Sequence, residues 1–334
     1  MSPRFSRAMR LVVALSTLAA VARASAQSDI VAYGVTANGA LFRFDPDLPA
    51  VVTPIGNLSG GVIPEAIDFR PTTLDGDPNR PLYAIDIGPV TTQLYTVNTT
   101  TAAVTPVGAG FPTTVAGAGG YDLSGNQRYG FDFNPATLQG GDGSIRIRLT
   151  STNGVNLRLN SDTGLVAAVD TLLQYAVGDA PFVDASAYIN SSKAREPADG
   201  TTILFAMDSR SDQTSIQNPP NNGTLTPVGL FGVGINANAG IAFDICTTPG
   251  NVDATIGGDR ALAALTRNAT QGGAYLLYDV NLTTGGIGNG RLVGGGLDFT
   301  GGLALTYAVP EPATLAMGLL AATLSAAVRY RRQR

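Results

Sequence analysis

The chain has 334 residues and a formal net charge of −4, and only 14% of its residues are charged. It contains no His, which excludes a Ser-His-Asp triad, a His-ligated zinc site and an imidazole general base. Its single Cys, Cys246, excludes an intramolecular disulfide and a Cys-ligated cluster. Gly, Pro, Asp, Asn and Thr are abundant and there is one Lys, a composition that favours turns and strands over helices.

The first residues have the layout of a secretory signal peptide. Three arginines within residues 4–10 precede an apolar run over residues 11–21, and Ala24 and Ala26 form a small-x-small cleavage site. No pair of adjacent arginines precedes the run, which favours the general secretion route over the twin-arginine route. We therefore expect residues 1–26 to be removed.

The last residues have the layout of a second targeting signal. An apolar span over residues 313–328 falls just short of the roughly 20 residues that cross a bilayer, and an Arg-rich end follows it. The element before the span consists of Val309, Pro310, Glu311 and Pro312. In this order, the tail over residues 309–334 resembles the PEP-CTERM sorting signal of bacterial secreted proteins.

The resemblance implies an address and a partner. In that family a membrane enzyme, exosortase, is thought to cut at the Pro-Glu-Pro element after the span has entered the inner membrane transiently. The protein then reaches the cell surface or the extracellular exopolysaccharide matrix. The alternative is a permanent single-span anchor.

Removing both signals makes the remaining chain more acidic. Residues 1–26 and 309–334 hold eight arginines and one glutamate, so residues 27–308 keep 13 basic and 24 acidic residues, a net charge of −11. Nucleic-acid binding needs a basic surface, so nucleic acid is not an expected partner.

Residues 27–308 repeat a pattern of four strand-like segments five times. The second segment ends in Asn or Asp, and the third often reads Thr-Pro-x-Gly. The fourth segments align at intervals of 64, 56, 56 and 62 residues on Asp68, Asp132, Tyr188, Asp244 and Thr306.

This repeat predicts an all-β fold, a β-propeller with five four-stranded blades. Six or seven blades, a β-sandwich array and a β-solenoid are the alternatives, but closing a ring removes the exposed sheet edges that an open array would leave. The stretches 33–36, 67–71, 130–135, 156–160 and 217–223 also resemble a bacterial domain family of unknown function that is common in secreted proteins. That resemblance supports the fold and the secreted address.

The repeated aspartates Asp68, Asp132 and Asp244 are candidates for carboxylate chemistry on a glycan, which needs two carboxylates roughly 5–10 Å apart. They occupy equivalent positions in the repeat, however, and this favours a shared hydrogen-bonding role between strand and turn. We therefore assign no catalytic residue.

Two further groups are candidate binding residues. Asp75, Asp77 and Asn79 have the spacing of the first half of a calcium loop, although an ordinary turn explains them more simply. A predicted hairpin would place a basic, amide-rich face on two strands, suited to carboxylates or uronic acids. Its members are Arg146, Arg148, Arg158, Asn156 and Asn160. Ion pairs with neighbouring aspartates are the alternative reading.

Together these patterns predict a secreted, non-enzymatic structural or binding module that uses no cofactor, unless calcium binds. Acidic exopolysaccharide is its candidate ligand. The alternative is an extracellular glycan hydrolase or lyase that uses Asp carboxylates.

Overall fold

The computed structural model describes residues 30–136, 145–178, 180–193, 202–235, 240–250, 258–266 and 274–308. Within these ranges the regular structure consists of strands and two short 3-10 turns, Ser59–Gly61 and Pro220–Asn222. The predicted signal peptide with Ala24 and Ala26, and the sorting element with Val309 and Pro312, lie outside the described residues. Among the described residues, no helix is long and apolar enough to cross a membrane.

The first part of the chain forms ten strands: β1 (Ile30–Val35), β2 (Ala40–Phe44), β3 (Val52–Asn57), β4 (Ala66–Phe69), β5 (Leu82–Ile87), β6 (Thr91–Val97), β7 (Val104–Pro112), β8 (Thr114–Val115), β9 (Tyr121–Asp122) and β10 (Tyr129–Phe133). The second part forms thirteen: β11 (Arg146–Ser151), β12 (Asn156–Asn160), β13 (Val166–Val169), β14 (Gln174–Tyr175), β15 (Val183–Tyr188), β16 (Leu204–Asp208), β17 (Gln213–Gln217), β18 (Thr224–Leu230), β19 (Ile241–Thr247), β20 (Asp259–Thr266), β21 (Tyr275–Val280), β22 (Ile287–Leu292) and β23 (Leu303–Tyr307).

Five antiparallel four-stranded sheets stand in a ring, which confirms the predicted five-bladed β-propeller. In chain order the blades are β23-β1-β2-β3, β4 to β7, β10 to β13, β15 to β18, and β19 to β22. The innermost strands β4, β10, β15, β19 and β23 pack side by side around the axis. In addition, β14 joins the outer edge of the fourth blade in parallel to β18, and β8 pairs with β9.

The order of strands within a unit differs from the sequence prediction in one respect. The segment that closes each unit in sequence is the innermost strand of the following blade, as for β4 and β10. The last such strand, β23, pairs with β1, so that Ala32 faces Leu305. The pairing of β23 with β1 therefore closes the ring by backbone hydrogen bonds between the two ends of the domain.

The Asn that ends the second segment of three units begins a tight turn. The side-chain oxygen of Asn98 accepts the backbone N–H groups of Thr100 and Thr101 at 2.9 and 3.0 Å. Asn160 and Asn281 make the same pair of bonds with the second and third residues after them. An Asn side chain mimics a backbone turn in this way, so the sequence repeat reflects a turn that each of these blades needs.

The core lies between neighbouring blades. Aliphatic and aromatic side chains from facing sheets form clusters such as the one that joins Phe205, Phe243 and Tyr278. Cys246 is buried in another of these clusters, and burial raises the pKa of its thiol to about 12. The interpretation of Cys246 as a small buried hydrophobe is therefore confirmed.

Candidate functional site

All five innermost strands begin at the same end of the axial channel, here called the mouth. The first residues of these strands line a cavity of about 40 Å³ at this end. The repeats align on Asp68 and its equivalents. Four residues before that position, most blades carry different residue types. These residues are Pro64, Arg128, Asp184, Gly240 and Gly302. Because the fold does not require the same residue at this position in every blade, the side chains there are available for binding a ligand.

Asp184 is the most unusual residue at the mouth. Val183 faces Asp208 and Ala185 faces Met207, so Asp184 is the extra residue of a β-bulge. Bulges at the rims of barrels re-aim a side chain. The Asp184 side chain is fully buried and lines the cavity, and its Oδ2 accepts the backbone N–H of Ser209 at 3.0 Å.

The other oxygen of Asp184, Oδ1, has no hydrogen-bond partner among the described residues. Burial raises the pKa of the Asp184 carboxyl to about 7, although the hydrogen bonds from Ser209 lower it. A buried carboxylate oxygen without a donor is costly. The mouth therefore contains a hydrogen-bond acceptor, Asp184 Oδ1, without a donor among the described residues.

Glu65 and Arg128 line the same cavity. Burial raises the pKa of the Glu65 carboxyl, and the Arg128 guanidinium opposes that shift. Arg128 crosses the mouth directly above Gly240, where a Cβ would lie 2.7 Å from its Nε. Gly240 has a φ of +77°, so glycine meets both a conformational and a spatial requirement there.

Aromatic rings form a large part of the apolar wall. Five of them line the cavity: Tyr129, Phe131, Phe243, Tyr275 and Phe299. All five are buried. The Tyr129 hydroxyl donates to the Leu123 carbonyl and is thereby held away from the cavity. The mouth is thus an aromatic-walled cavity with two carboxyl groups and one guanidinium.

The three repeated aspartates meet farther along the axis. Carboxylate oxygens of Asp68, Asp132 and Asp244 all lie within 4.8 Å of one another, and all three side chains are buried. Asp68 Oδ2 accepts the Phe133 N–H at 2.8 Å, and Asp244 Oδ2 accepts the Leu305 N–H at 2.5 Å.

These bonds join each aspartate to the innermost strand of the next blade. Asp132 likewise accepts a backbone hydrogen bond from Tyr188. The predicted hydrogen-bonding role is confirmed, with the difference that the bonds run from blade to blade instead of to a turn. The repeat thus uses one residue type at one position to tie three blades to their neighbours.

Burial dominates the ionisation of this aspartate cluster. It raises the pKa of Asp68 to about 7. Burial and the neighbouring carboxylates raise the pKa values of Asp132 and Asp244 well above the usual range. Arg80 is the cation that lowers all three, and it lies at the far end of the axis from the mouth.

Arg80 closes that far end. It donates to the Ser191 carbonyl at 2.7 Å and to the Leu305 carbonyl at 3.1 Å. Its guanidinium also lies over the Tyr307 ring, 4.9 Å from the centroid. Among the described residues, the aspartates and Arg80 therefore occupy the axial channel beyond the mouth.

The aspartate cluster is the one group of three acids among the described residues with oxygens close enough to share a metal ion. The predicted calcium loop is arranged differently. Asp77 accepts the Asn79 N–H and the Thr72 hydroxyl, both at 2.8 Å, and Asp75 accepts the Gly250 N–H at 2.7 Å. Calcium binding at Asp75, Asp77 and Asn79 stays a prediction.

The predicted basic hairpin forms, with Arg146 opposite Asn160 and Arg148 opposite Arg158. Arg148 is only 2% exposed and donates to Asn156 and Asp170, both at 2.7 Å. Asn156 is also buried, with its amide on the Thr171 and Pro220 carbonyls.

Asp170 is the centre of this network. It accepts Arg148 through Oδ2 and a two-bond contact from Arg158 at 2.8 and 2.9 Å. The ion pairs weighed as an alternative in the sequence are therefore present. Ligand binding by this hairpin stays a prediction that now rests mainly on Arg158, which is a third exposed, and Arg146.

We expect Asp170→Asn to lower the free energy of unfolding by about 3 kcal/mol, because it leaves a buried arginine without its charge partner. Urea unfolding followed by circular dichroism measures the change. Asp162→Asn is the matched control, since the Arg70–Asp162 pair is partly exposed and such pairs contribute less than about 1 kcal/mol. Equal effects of the two substitutions would contradict a structural role for Asp170.

Sequence reasoning missed the residues of the mouth. Glu65, Arg128 and Asp184 carry no motif, and the bulge that aims Asp184 has no signature in the sequence. The repeat alignment held the signal, because the same position reads Arg, Asp or Gly in blades that otherwise repeat one another.

Two solved structures are similar to this chain. One is a protein from Lactobacillus plantarum, at 11% identity over 84% of this chain and 99% of that chain, with a TM-score of 0.39. The other is named "putative exo-beta-1,3-galactanase from Bifidobacterium bifidum s17", at 10% identity over 85% and 90% of the chains, with a TM-score of 0.41.

No curated protein matches the chain in sequence. One family model does match, that of a domain of unknown function, DUF4394. It matches residues 33–301, which include at least part of every blade and the mouth residues Glu65, Arg128 and Asp184. The chain therefore belongs to the DUF4394 family.

Proposed function

We propose that this protein is an exported, non-enzymatic binding or structural module of the bacterial cell surface or exopolysaccharide matrix. The signal peptide supports export by the general secretion route. The tail from Val309 to Pro312 and beyond supports processing by exosortase after a transient membrane stage. The net charge of −11 for residues 27–308 suits a protein exposed outside the cell.

The size of the axial cavity is the observation that carries a non-enzymatic role for the mouth. Sites that enclose a small molecule typically measure about 300–1,000 Å³. The mouth offers about 40 Å³, enough for a few waters, since one needs about 10–15 Å³. A sugar ring does not fit inside, whereas a single group that protrudes from a longer molecule does.

The carboxylates of the aspartate cluster argue against the alternative, a glycan hydrolase or lyase. Hydrolysis places a sugar between two carboxyl groups at least about 5 Å apart. The side chains of Asp68, Asp132 and Asp244 are buried, and backbone N–H groups of neighbouring strands donate to their oxygens. Their arrangement supports a role in holding the blades together.

The intact mass of the native protein tests export and release. We expect the protein in culture fluid or matrix to have lost residues 1–26 and to end within residues 309–312, because both signals are cut. A mass that retains Arg334, found only in the membrane fraction, would overturn release and indicate a permanent anchor.

Incubation with host exopolysaccharide tests the non-enzymatic part on the same preparation. New reducing ends or unsaturated sugars would overturn it, whereas sedimentation with unchanged polysaccharide would support binding. Acidic polysaccharide stays a candidate ligand for Arg146 and Arg158, and its binding should weaken when Arg158 is replaced by Gln.

A further inference from the structure

We propose that the mouth of the axial channel binds a primary ammonium group that protrudes from a polysaccharide, such as the free amine of an amino sugar. This deepens the proposed function and rests on it, since it names the chemistry of the ligand at the mouth. Asp184, Glu65 and the aromatic wall carry the inference.

Asp184 supplies the main argument. Asp184 lines the cavity, and its Oδ1 is buried and lacks a donor among the described residues. A β-bulge in strand β15 places this side chain at the cavity. An ammonium group provides both what the oxygen lacks, an N–H donor, and the positive charge that a buried carboxylate needs.

The walls distinguish an ammonium group from a metal ion. Calcium takes six to eight oxygen ligands, and magnesium keeps several waters. The cavity has five aromatic rings, among them Tyr275 and Phe299, and two carboxyl groups. Aromatic faces attract ammonium groups through cation–π interactions, and aromatic cages are how proteins recognise them.

Charge and size agree with this ligand. Two acids, Glu65 and Asp184, and one guanidinium, that of Arg128, line the mouth. An ammonium group favours the ionised form of both acids, whereas an anion is repelled by it. The cavity of about 40 Å³ admits a water-sized head group. Glu65 is only half-buried and Thr300 is exposed, so the mouth is open on one side and the sugar that carries the amine stays outside.

Titration calorimetry on the purified full-length protein tests the proposal with chito-oligosaccharides as the probe. We expect the deacetylated hexamer to bind and its N-acetylated counterpart to bind at least tenfold more weakly, because acetylation removes the charge. Methylammonium chloride should compete, and sodium chloride at equal ionic strength should compete less.

Asp184→Asn should weaken binding of the deacetylated hexamer at least tenfold, and Asp162→Asn, an exposed carboxylate far from the mouth, should leave it unchanged. Thermal melts check that the variants fold. If Asp184→Asn does not fold, Glu65→Gln serves in its place, with an expected loss of at least threefold.

The outcomes separate the inference from the proposed function. Equal binding of the two hexamers, or undiminished binding by Asp184→Asn, would overturn ammonium recognition and leave a matrix-binding module standing. Binding of a lysine-rich peptide in preference to the sugar would overturn the polysaccharide as the source of the amine. A mass that shows a permanent membrane anchor would instead overturn the matrix address.

Discussion

Replacing Arg80 by Met should lower the free energy of unfolding by about 3–5 kcal/mol. Arg80 is 4% exposed and is the cation that the three buried aspartates share. Met removes the nearest cation from the aspartates, and each buried carbonyl that loses its donor costs about 1–3 kcal/mol. The bonds to Ser191 and Leu305 are lost as well, and they join the second blade to the fourth and first blades.

Urea unfolding measures this effect, and Arg260→Met provides the matched control. Arg260 pairs with Asp47 at the surface, with side chains 25% and 54% exposed, and such pairs contribute less than about 1 kcal/mol. Arg80→Lys should fall between the two, because it keeps the charge and loses the planar fork. A loss below 1 kcal/mol for Arg80→Met would show that the aspartates do not depend on this cation.

Stability should fall as pH rises from about 4 to above 7. The folded-state pKa of Asp68 is about 7 against 3.8 as its usual value, and Asp184 is similar. The folded state therefore binds more protons than the unfolded state in this window. The stabilisation is complete below pH 4 and is lost as pH passes the folded-state pKa. For Asp68 alone the loss is about 4 kcal/mol.

Asp132→Asn should remove much of this pH dependence. Asn resembles the protonated carboxyl in shape, so the variant should match the wild type at pH 4. At pH 9 it should be more stable by about 2–3 kcal/mol, because it removes one of the charges that repel each other. Two charges within 4.8 Å repel by roughly 3 kcal/mol or more at an effective dielectric constant of 20.

Urea midpoints measured between pH 4 and pH 9 provide the comparison, with the exposed Asp47→Asn as the control that should follow the wild type. If the urea midpoints of Asp132→Asn and the wild type change with pH in parallel, the aspartate cluster does not bind more protons in the folded state than in the unfolded state.

The fold was predictable because its signals are local and repeated. Asn98, Asn160 and Asn281 mark turns that recur with the blades, and the aligned fourth segments give the blade number. The exchange of one strand between units was not visible, because a segment such as 66–69 has the same pattern whichever blade it joins. Hydrogen-bond partners that decide this are far apart in sequence.

The site was less predictable, for two physical reasons. A repeated residue such as Asp132 is easy to see, and in this fold it ties blades together. The mouth depends on single departures from the repeat, and Asp184 owes its position to one bulge. The basic hairpin was predicted with the correct pairing, but the burial of Arg148 depends on Asp170 and Asn221, which lie on later segments.

The innermost strands all run in the same direction along the axis, and this fixes the face of the propeller on which the described chain ends. The innermost strands start at the mouth and run toward Arg80, and β23 is one of them. Residue 308, where β23 has ended, therefore leaves the ring on the face opposite the mouth. The mouth and the point where the described chain ends therefore lie on opposite faces of the propeller, so a ligand at the mouth does not compete with that end for space.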